Sequence, residues 1–173
     1  MKKISFRNDV LPLKNKLFRL ALRITLDKAE AEDVVQETMI KVWNRRDTWE
    51  QLESIEAFCL TVCRNMALDK AKAAANRNLS IDEAGGSHHP DTSYGANPEA
   101  QAISHDRMAT VRMIMDSLPE KQRSAMHLRD FEAKSYKEIS GILGISEEQV
   151  KVNIFRARQT IKQKYAEREN YGL

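Results

Sequence analysis

The strongest constraint on the fold is a pair of helical segments near the C-terminus, joined by a very short turn. The first, residues 136–143, begins with the capping-box pattern Ser135-Tyr136-Lys137-Glu138, and Ser146-Glu147-Glu148-Gln149 opens the second. Gly144 lies between them, where a tight turn favours a residue without a Cβ. The apolar residues that these helices would share as a core are Ile139, Leu143, Ile145, Val150, Ile154, Ala157 and Ile161. The spacing predicts a helix-turn-helix.

The opposite side of the second helix in this pair carries a distinctive mixture of groups. It consists of Gln149, Lys151, Val152, Phe155, Arg156 and Gln159. Residues 149–164 contain five basic residues and no acidic one. In a DNA major groove, cations contact phosphates or guanine edges and apolar groups contact thymine methyls, so this face favours duplex DNA binding. The alternatives are a solvated basic face and a buried Phe155, and the carboxylates of Glu147 and Glu148 would repel phosphate.

Three more amphipathic segments lie in the N-terminal half. Their apolar positions are Leu13, Leu17, Leu20 and Ile24, then Val34, Val35, Met39 and Val42, and finally Phe58, Val62 and Met66. Asp27, with Glu30 three residues later, predicts the start of the second helix, and Ser54 predicts the start of the third. We expect a three-helix bundle over residues 10–75.

The composition supports an all-α fold made of two small helical domains joined by a flexible linker. Aromatic residues make up 6% of the 173 residues, with six Gly and four Pro, which argues against a turn-rich β-sandwich or barrel. Residues 76–97 have no helical period, and Asn97-Pro98-Glu99 predicts a new helix start. We predict domains at 1–75 and 105–173. Residues 76–104 would hold the linker and the start of the next helix.

Several classes of protein are disfavoured by the sequence. No apolar run approaches the roughly 18 residues of a membrane span, and the N-terminus has no apolar signal region. Cys59 and Cys63 are expected to be core thiols, since their spacing is not that of a C-x-x-C metal site, and His88 and His89 fall in the predicted linker. We therefore predict a cytoplasmic protein without a metal, cofactor, catalytic residue or membrane insertion.

Two sets of motifs carry a resemblance to a known family. The C-terminal set is Leu118-Pro119-Glu120-Lys121-Gln122-Arg123, Leu128-Arg129-Asp130, Tyr136-Lys137-Glu138-Ile139 and Val150-Lys151 with Arg156-Ala157-Arg158. The N-terminal set is Asp33-Val34-Val35-Gln36-Glu37-Thr38 with Val42-Trp43, and Phe58 with Arg64-Asn65-Met66-Ala67-Leu68-Asp69-Lys70. In this order they resemble domains 4 and 2 of bacterial RNA polymerase sigma factors of the extracytoplasmic-function (ECF) group.

The resemblance implies a transcription initiation factor that binds core RNA polymerase and promoter DNA. By matching position, the polymerase-binding residues would be Asp33, Gln36, Glu37 and Ile40. Those at the single-stranded −10 element would be Arg64, Asn65 and Lys70, with the loop at Trp49–Ile55 holding an extruded base. Those at the −35 duplex would be Arg129, Lys151, Val152, Phe155, Arg156 and Arg158. The resemblance also implies an anti-sigma factor as a partner, since many members are controlled by one.

Other interpretations of these residues stay open at this point. Asp33, Gln36 and Glu37 share one helix face with no evident intramolecular cation row, yet could be a solvated acidic stripe. Asn65 could be an ordinary surface residue. The chain could also be a stand-alone helix-turn-helix regulator that binds duplex operator DNA. Positions 148, 149, 152 and 153 depart from the family's frequent residues, so the −35 sequence preference does not transfer. We further hypothesise that the two domains pack together in the free protein and mask both DNA surfaces.

Overall fold

The N-terminal half folds into a bundle of three α-helices. The computed structural model describes residues 3–80 and 100–170, with side chains over 3–77 and 106–170. The helices are α1 (Lys14–Thr25), α2 (Lys28–Asn44) and α3 (Ile55–Ser80). These three helices are called the N-terminal bundle below. The predicted inner face is confirmed, since Leu17, Leu20, Ile24, Val34, Val35, Val42 and Val62 are buried.

Side-chain caps start two of these helices where the sequence predicts them. The Asp27 carboxylate accepts a hydrogen bond from the Glu30 backbone N–H at 3.0 Å. The Ser54 hydroxyl accepts one from the Ala57 N–H at 3.1 Å. Each cap satisfies a backbone donor that the first helical turn would leave without a partner. Helix α3 continues to Ser80, five residues past the predicted end of the bundle.

Short helical turns extend the bundle in places that the sequence pattern did not indicate. They comprise Phe6–Val10, Leu11–Leu13 and the 3₁₀ helix Arg46–Gln51. The last of these buries Trp49, whose indole N–H donates to the Val42 carbonyl at 3.1 Å. Trp49 thus closes the end of α2 as a core residue. Its ring is therefore enclosed in the core and does not face a site for an extruded base.

The C-terminal unit contains the predicted helix-turn-helix. Its helices are α4 (Ala100–Asp116), α5 (Glu120–Met126), α6 (Tyr136–Leu143) and α7 (Glu147–Asn170), with a π-helical turn at His127–Phe131 after α5. Both capping boxes form: Ser135 and Glu138 exchange hydrogen bonds, as do Ser146 and Gln149. Gly144 ends α6 with φ of +67°, a left-handed conformation that costs other residues about 1 kcal/mol or more. The predicted turn is therefore confirmed in detail.

The two units pack against each other. One cluster of buried residues runs from the N-terminal bundle into α5, α6 and α7. Among the described residues, four ion pairs join the units around this apolar contact. They are Arg19–Glu132, Arg23–Asp116, Arg64–Glu120 and Glu56–Lys134. A second, smaller cluster of Met115, Leu118, Met126 and Ala157 lies inside the C-terminal unit.

The architecture confirms an all-α protein of two helical domains. Over residues 3–80 and 100–170 the structure contains helices and turns and no strand. None of the helices in these ranges is both long and apolar enough to cross a membrane. Most of the predicted linker, the helix start at Asn97-Pro98-Glu99, and His88 and His89 lie outside the described residues.

Candidate nucleic-acid interface

The outer face of α7 is open to solvent along its first half. Lys151 and Arg156 are exposed, and so are the apolar side chains of Val152 and Phe155, the latter 63% exposed. Because the Phe155 side chain is exposed, the alternative of a buried Phe155 is wrong. Ile154 and Ala157 on the other side of the helix are buried and hold it against the C-terminal unit. The outer face of α7, called the α7 face below, thus presents exposed cations and apolar groups on a helix whose other side is buried.

Two other predicted −35 residues flank this face with their charges already engaged. Arg129, from the π-helical turn, is half-buried, and its guanidinium lies 4.4 Å from the centre of the Tyr136 ring. It also donates to the Lys134 carbonyl at 2.9 Å. Arg158 on α7 makes a two-point ion pair with Asp130, with its Nε 3.2 Å from the carboxylate. The structure thus brings Arg129 and Lys151 together at the Tyr136 ring and pairs Arg158 with Asp130, while Val152, Phe155 and Arg156 are exposed on α7.

The predicted polymerase-binding residues form an exposed stripe on α2. Asp33, Gln36, Glu37 and Ile40 are all exposed, and Ile40 is 61% exposed. The carboxylate of Glu37 lies 3.5 Å from the Lys70 ammonium group, so this stripe does have an intramolecular cation beside it. The expectation of no such cation was wrong because α3 packs alongside α2. Asp33 has no ion pair within the described residues.

An apolar patch continues the stripe toward the end of α2. Phe6, Met39, Ile40 and Trp43 line a shallow hollow of about 340 Å³. Trp43 is 44% exposed and packs edge-on against Phe6, with ring centres 5.5 Å apart. The predicted polymerase-binding residues included neither Phe6 nor Trp43, although Trp43 belongs to the N-terminal set of motifs. A tryptophan at the exposed end of an amphipathic helix was the available signal, but nothing in the sequence placed Phe6 beside it.

The predicted −10 residues are not brought together on one open surface. Arg64 is 7% exposed, and its Nε and terminal nitrogen lie 3.1 and 2.9 Å from the Glu120 carboxylate of the C-terminal unit. Asn65 is exposed on the neighbouring side of α3. Lys70 is half-buried between the carboxylates of Glu30 and Glu37. The packing of the two units therefore covers Arg64, while the α7 face stays open. The hypothesis that both DNA surfaces are masked is wrong for the −35 face.

A cluster of buried charges lies at the contact between the two units. The Glu132 side chain is only 2% exposed and accepts from the Arg19 guanidinium at 2.8 and 3.1 Å. His127 is 1% exposed, with its Nε2 3.6 Å from Glu132 and the Arg23 Nε 3.5 Å from its Nδ1. Sequence reasoning missed this cluster, because no local pattern pairs α1 with residues more than 100 positions away.

The electrostatics of this cluster favour neutral histidine and ionised glutamate. Burial lowers the pKa of His127, and the nearby Arg23 adds to this effect, while Glu132 opposes it. Burial alone would raise the pKa of Glu132, but the neighbouring His127 and Arg19 lower it to about 2. The contact between the units thus contains a carboxylate that holds its charge well into acid.

The two cysteines show no sign of a chemical role. Cys59 and Cys63 are both buried and unpaired with each other. Burial raises the pKa of each thiol to about 12. Among the residues that the structure describes, no three histidine, cysteine, aspartate or glutamate side chains are grouped so that they could hold a metal ion. The prediction of core thiols is confirmed.

The fold and its exposed faces define a two-domain helical protein with a helix-turn-helix in the second domain. Comparison with known families agrees with this division. The family "Sigma-70 region 2" matches residues 10–77, and "Sigma-70, region 4" matches residues 108–161. The first region corresponds to the N-terminal bundle and the second to most of the C-terminal unit.

Relatives and a solved structure narrow the class further. An ECF RNA polymerase sigma factor, SigL of Mycobacterium tuberculosis, is 31% identical over 84% of this chain and 80% of its own length. The chain belongs to the ECF RNA polymerase sigma factor family. A probable RNA polymerase sigma factor of Xanthomonas campestris, RfaY, is 27% identical over 92% of this chain, which spans only 40% of that longer relative. The sigma factor RpoE of Bartonella quintana, solved with the anti-sigma factor NepR, has the same fold, with a TM-score of 0.68 and 22% identity over 91% of this chain and 94% of that one.

Proposed function

We propose that this protein binds core RNA polymerase and directs it to promoters, where it recognises the −35 and −10 elements and starts transcription. The observation that carries this proposal is the presence of two separate exposed faces on two domains of one chain. The α7 face has the chemistry of duplex DNA readout, and the α2 stripe has the chemistry of a protein contact. In a stand-alone operator-binding regulator the second face would instead serve as a dimerisation or sensor surface.

At the −35 element, α7 would lie in the major groove. Lys151 and Arg156 would contact phosphates or guanine edges, while Val152 and Phe155 would pack against thymine methyl groups. Arg129 and Arg158 at the edges of the face would set the orientation of the domain on the phosphate backbone. Phosphate contacts position the helix, and base contacts select the sequence.

At the polymerase, the stripe of Asp33, Gln36, Glu37 and Ile40 would provide the contact. The carboxylates would pair with cations of the partner, and Ile40 would bury its exposed side chain together with the adjoining apolar patch. Burying one such side chain contributes about 1.5–3 kcal/mol. The stripe thus combines charge for orientation with apolar area for affinity.

At the −10 element, Arg64, Asn65 and Lys70 would hold the single strand. Taking a base out of the stack costs a few kcal/mol, which binding to the polymerase and to this site must together offset. Arg64 can reach DNA only after it leaves Glu120, because the same guanidinium is buried between the two units. Recognition of the −10 element therefore requires separation of the units.

The protein would act in the cytoplasm as a binding factor without catalytic activity of its own. An anti-sigma factor is a further partner, supported by the similar Bartonella sigma factor that was solved with one. The division into residues 1–75, 76–104 and 105–173 is supported by the family matches at 10–77 and 108–161, although α3 continues to Ser80.

The direct test is transcription with purified components. The full chain is mixed with core polymerase and a library of genomic fragments, and the 5′ ends of the transcripts are sequenced. We expect initiation from a set of sites that share two conserved blocks upstream of the start. A chain that binds symmetric duplex sites without polymerase and gives no specific transcripts would instead be a stand-alone regulator.

Reversing the charge of Asp33 is expected to weaken binding to core polymerase. Asp33→Lys places a cation on the exposed stripe and, with no internal ion pair to break, should leave the fold unchanged. We expect the Kd to rise at least tenfold, about 1.4 kcal/mol, measured by fluorescence titration with core enzyme. Asp69→Lys, an equal charge reversal at an exposed site on α3, is the matched control. Equal affinities for both variants and the wild type would exclude this face as the polymerase contact.

A further inference from the structure

The ring of Tyr136 is shared by two of the cations on the −35 side of the C-terminal unit. The Arg129 guanidinium carbon lies 4.4 Å from the ring centre, and the Lys151 ammonium nitrogen lies 5.4 Å from it. Both distances are within the roughly 6 Å at which a cation is attracted to an aromatic face. The three side chains come from three elements: the π-helical turn, the first residue of α6, and α7. One aromatic ring thus joins cations that the chain order keeps apart.

The position of the ring is itself fixed by the fold. Tyr136 directly follows the cap residue Ser135 and packs half-buried against the main core cluster. In the described parts of the chain no group hydrogen-bonds the Tyr136 hydroxyl, and Arg158 interacts with Tyr136 electrostatically. Arg129 and Lys151 contact the face of the ring. Arg129 is held from a second side by its hydrogen bond to the Lys134 carbonyl. The ring is therefore a firm support for otherwise flexible side chains.

Long cationic side chains lose conformational freedom when they contact DNA. Ordering an arginine or a lysine side chain costs free energy in lost rotamer freedom. A cation that already rests on an aromatic ring has lost part of this freedom before it meets the phosphate. Each exposed cation–π contact favours the held position by a factor of about two to five.

We propose that Tyr136 is a positioning residue for −35 binding, whose ring holds Arg129 and Lys151 ready for the DNA. The inference rests on the proposed function, since it requires that these two cations contact the promoter duplex. It assigns a role to a residue that need not itself touch a base. Arg156, exposed further along α7, has no contact with the ring among the described residues and provides an internal comparison.

The test is a set of double-mutant cycles on the full chain bound to core polymerase. The probe is a duplex selected from a random library by the wild-type holoenzyme, and its affinity is measured against a scrambled duplex. We expect Tyr136→Phe to bind within twofold of the wild type and Tyr136→Leu to bind about five- to twentyfold more weakly, from the loss of two ring contacts. Urea unfolding of each variant checks that the fold is intact.

The cycles then show whether Tyr136 acts through the two cations. In an Arg129→Met/Lys151→Met background, the further loss caused by Tyr136→Leu should shrink to less than twofold. In an Arg156→Met background it should keep its full size, because contacts that are not shared are additive. Additive losses in both backgrounds, or an equal loss for Tyr136→Phe and Tyr136→Leu, would overturn the inference.

A measurement on the unmodified chain covers the case in which Tyr136→Leu does not fold. The position of both cations over the ring predicts upfield ring-current shifts for side-chain protons of Arg129 and Lys151 in NMR spectra, and their absence would overturn the proposal. Two different results would overturn the proposed function and the role of the Tyr136 ring. A wild-type holoenzyme that selects no duplex would overturn the proposed function itself, whereas selective binding that survives in Tyr136→Leu would overturn only the role of the ring.

Discussion

Replacing Glu120 by lysine is expected to separate the two halves of the free protein. The Glu120 carboxylate accepts two hydrogen bonds from Arg64 and a third from the Ser124 hydroxyl at 2.7 Å. Because Arg64 is almost fully buried, Glu120→Lys would leave two cations facing each other inside the contact. Breaking a buried ion pair in this way costs about 3–5 kcal/mol. Solvating Arg64 by opening the contact removes this cost, so the open arrangement should become dominant.

Small-angle X-ray scattering measures this change directly. A compact chain of this length has a radius of gyration of about 16 Å, and we expect the Glu120→Lys value to exceed about 20 Å. Glu148→Lys is the matched control, since it reverses an exposed charge in the first turn of α7 without touching the bundle. Arg64→Glu combined with Glu120→Arg should restore the compact form. A Glu120→Lys profile that superimposes on the wild type would show that this pair does not hold the units together.

Acidification is expected to destabilise the protein through His127. Its pKa is lowered in the folded state, chiefly by burial, so the unfolded chain binds the proton more readily. The stability that this histidine contributes is therefore fully present above its unfolded pKa of about 6.5 and is lost as pH falls toward its folded value. Below pH 6.5 the free energy of unfolding can fall by at most about 1.36 kcal/mol per pH unit through this one group.

The matching variant is His127→Gln, which keeps a hydrogen-bonding group near Arg23 and Glu132 but does not titrate. Urea unfolding at pH 7.0, 6.0 and 5.0 gives the free energy of unfolding for both proteins. We expect a marked decline for the wild type and a much flatter profile for His127→Gln. Glu132, with a pKa of about 2, keeps its charge throughout this range and does not contribute to the difference. Parallel profiles would show that His127 is not the group responsible.

The helix-turn-helix was predictable from the sequence because its determinants are local. The hydrogen bonds of each capping box join two residues that are three positions apart, and Gly144 allows the turn through its own backbone conformation. The apolar positions of α7 follow the helical period, so the exposed face with Phe155 followed from the same pattern. In such a segment, propensity, capping and burial all indicate one structure.

The parts that could not be predicted depend on contacts distant in the chain. Nothing near Arg64 in the sequence indicates that its partner is Glu120, 56 positions away. Trp49 likewise sits in a stretch without helical period, and its burial follows from the way Arg46–Gln51 folds back onto α2. The family resemblance supplied the roles of such residues, but their availability in the free chain depends on how the two units pack.

The two deeply enclosed thiols have a practical consequence for work on this chain. With pKa values raised to about 12, Cys59 and Cys63 carry almost no thiolate at neutral pH. Both side chains are also buried in the folded bundle, away from a thiol-reactive dye in the solvent. A maleimide dye should therefore react only with cysteines that are introduced by mutation at exposed positions. Fluorophores could be attached to each domain to follow the opening during promoter capture, with both native cysteines left in place.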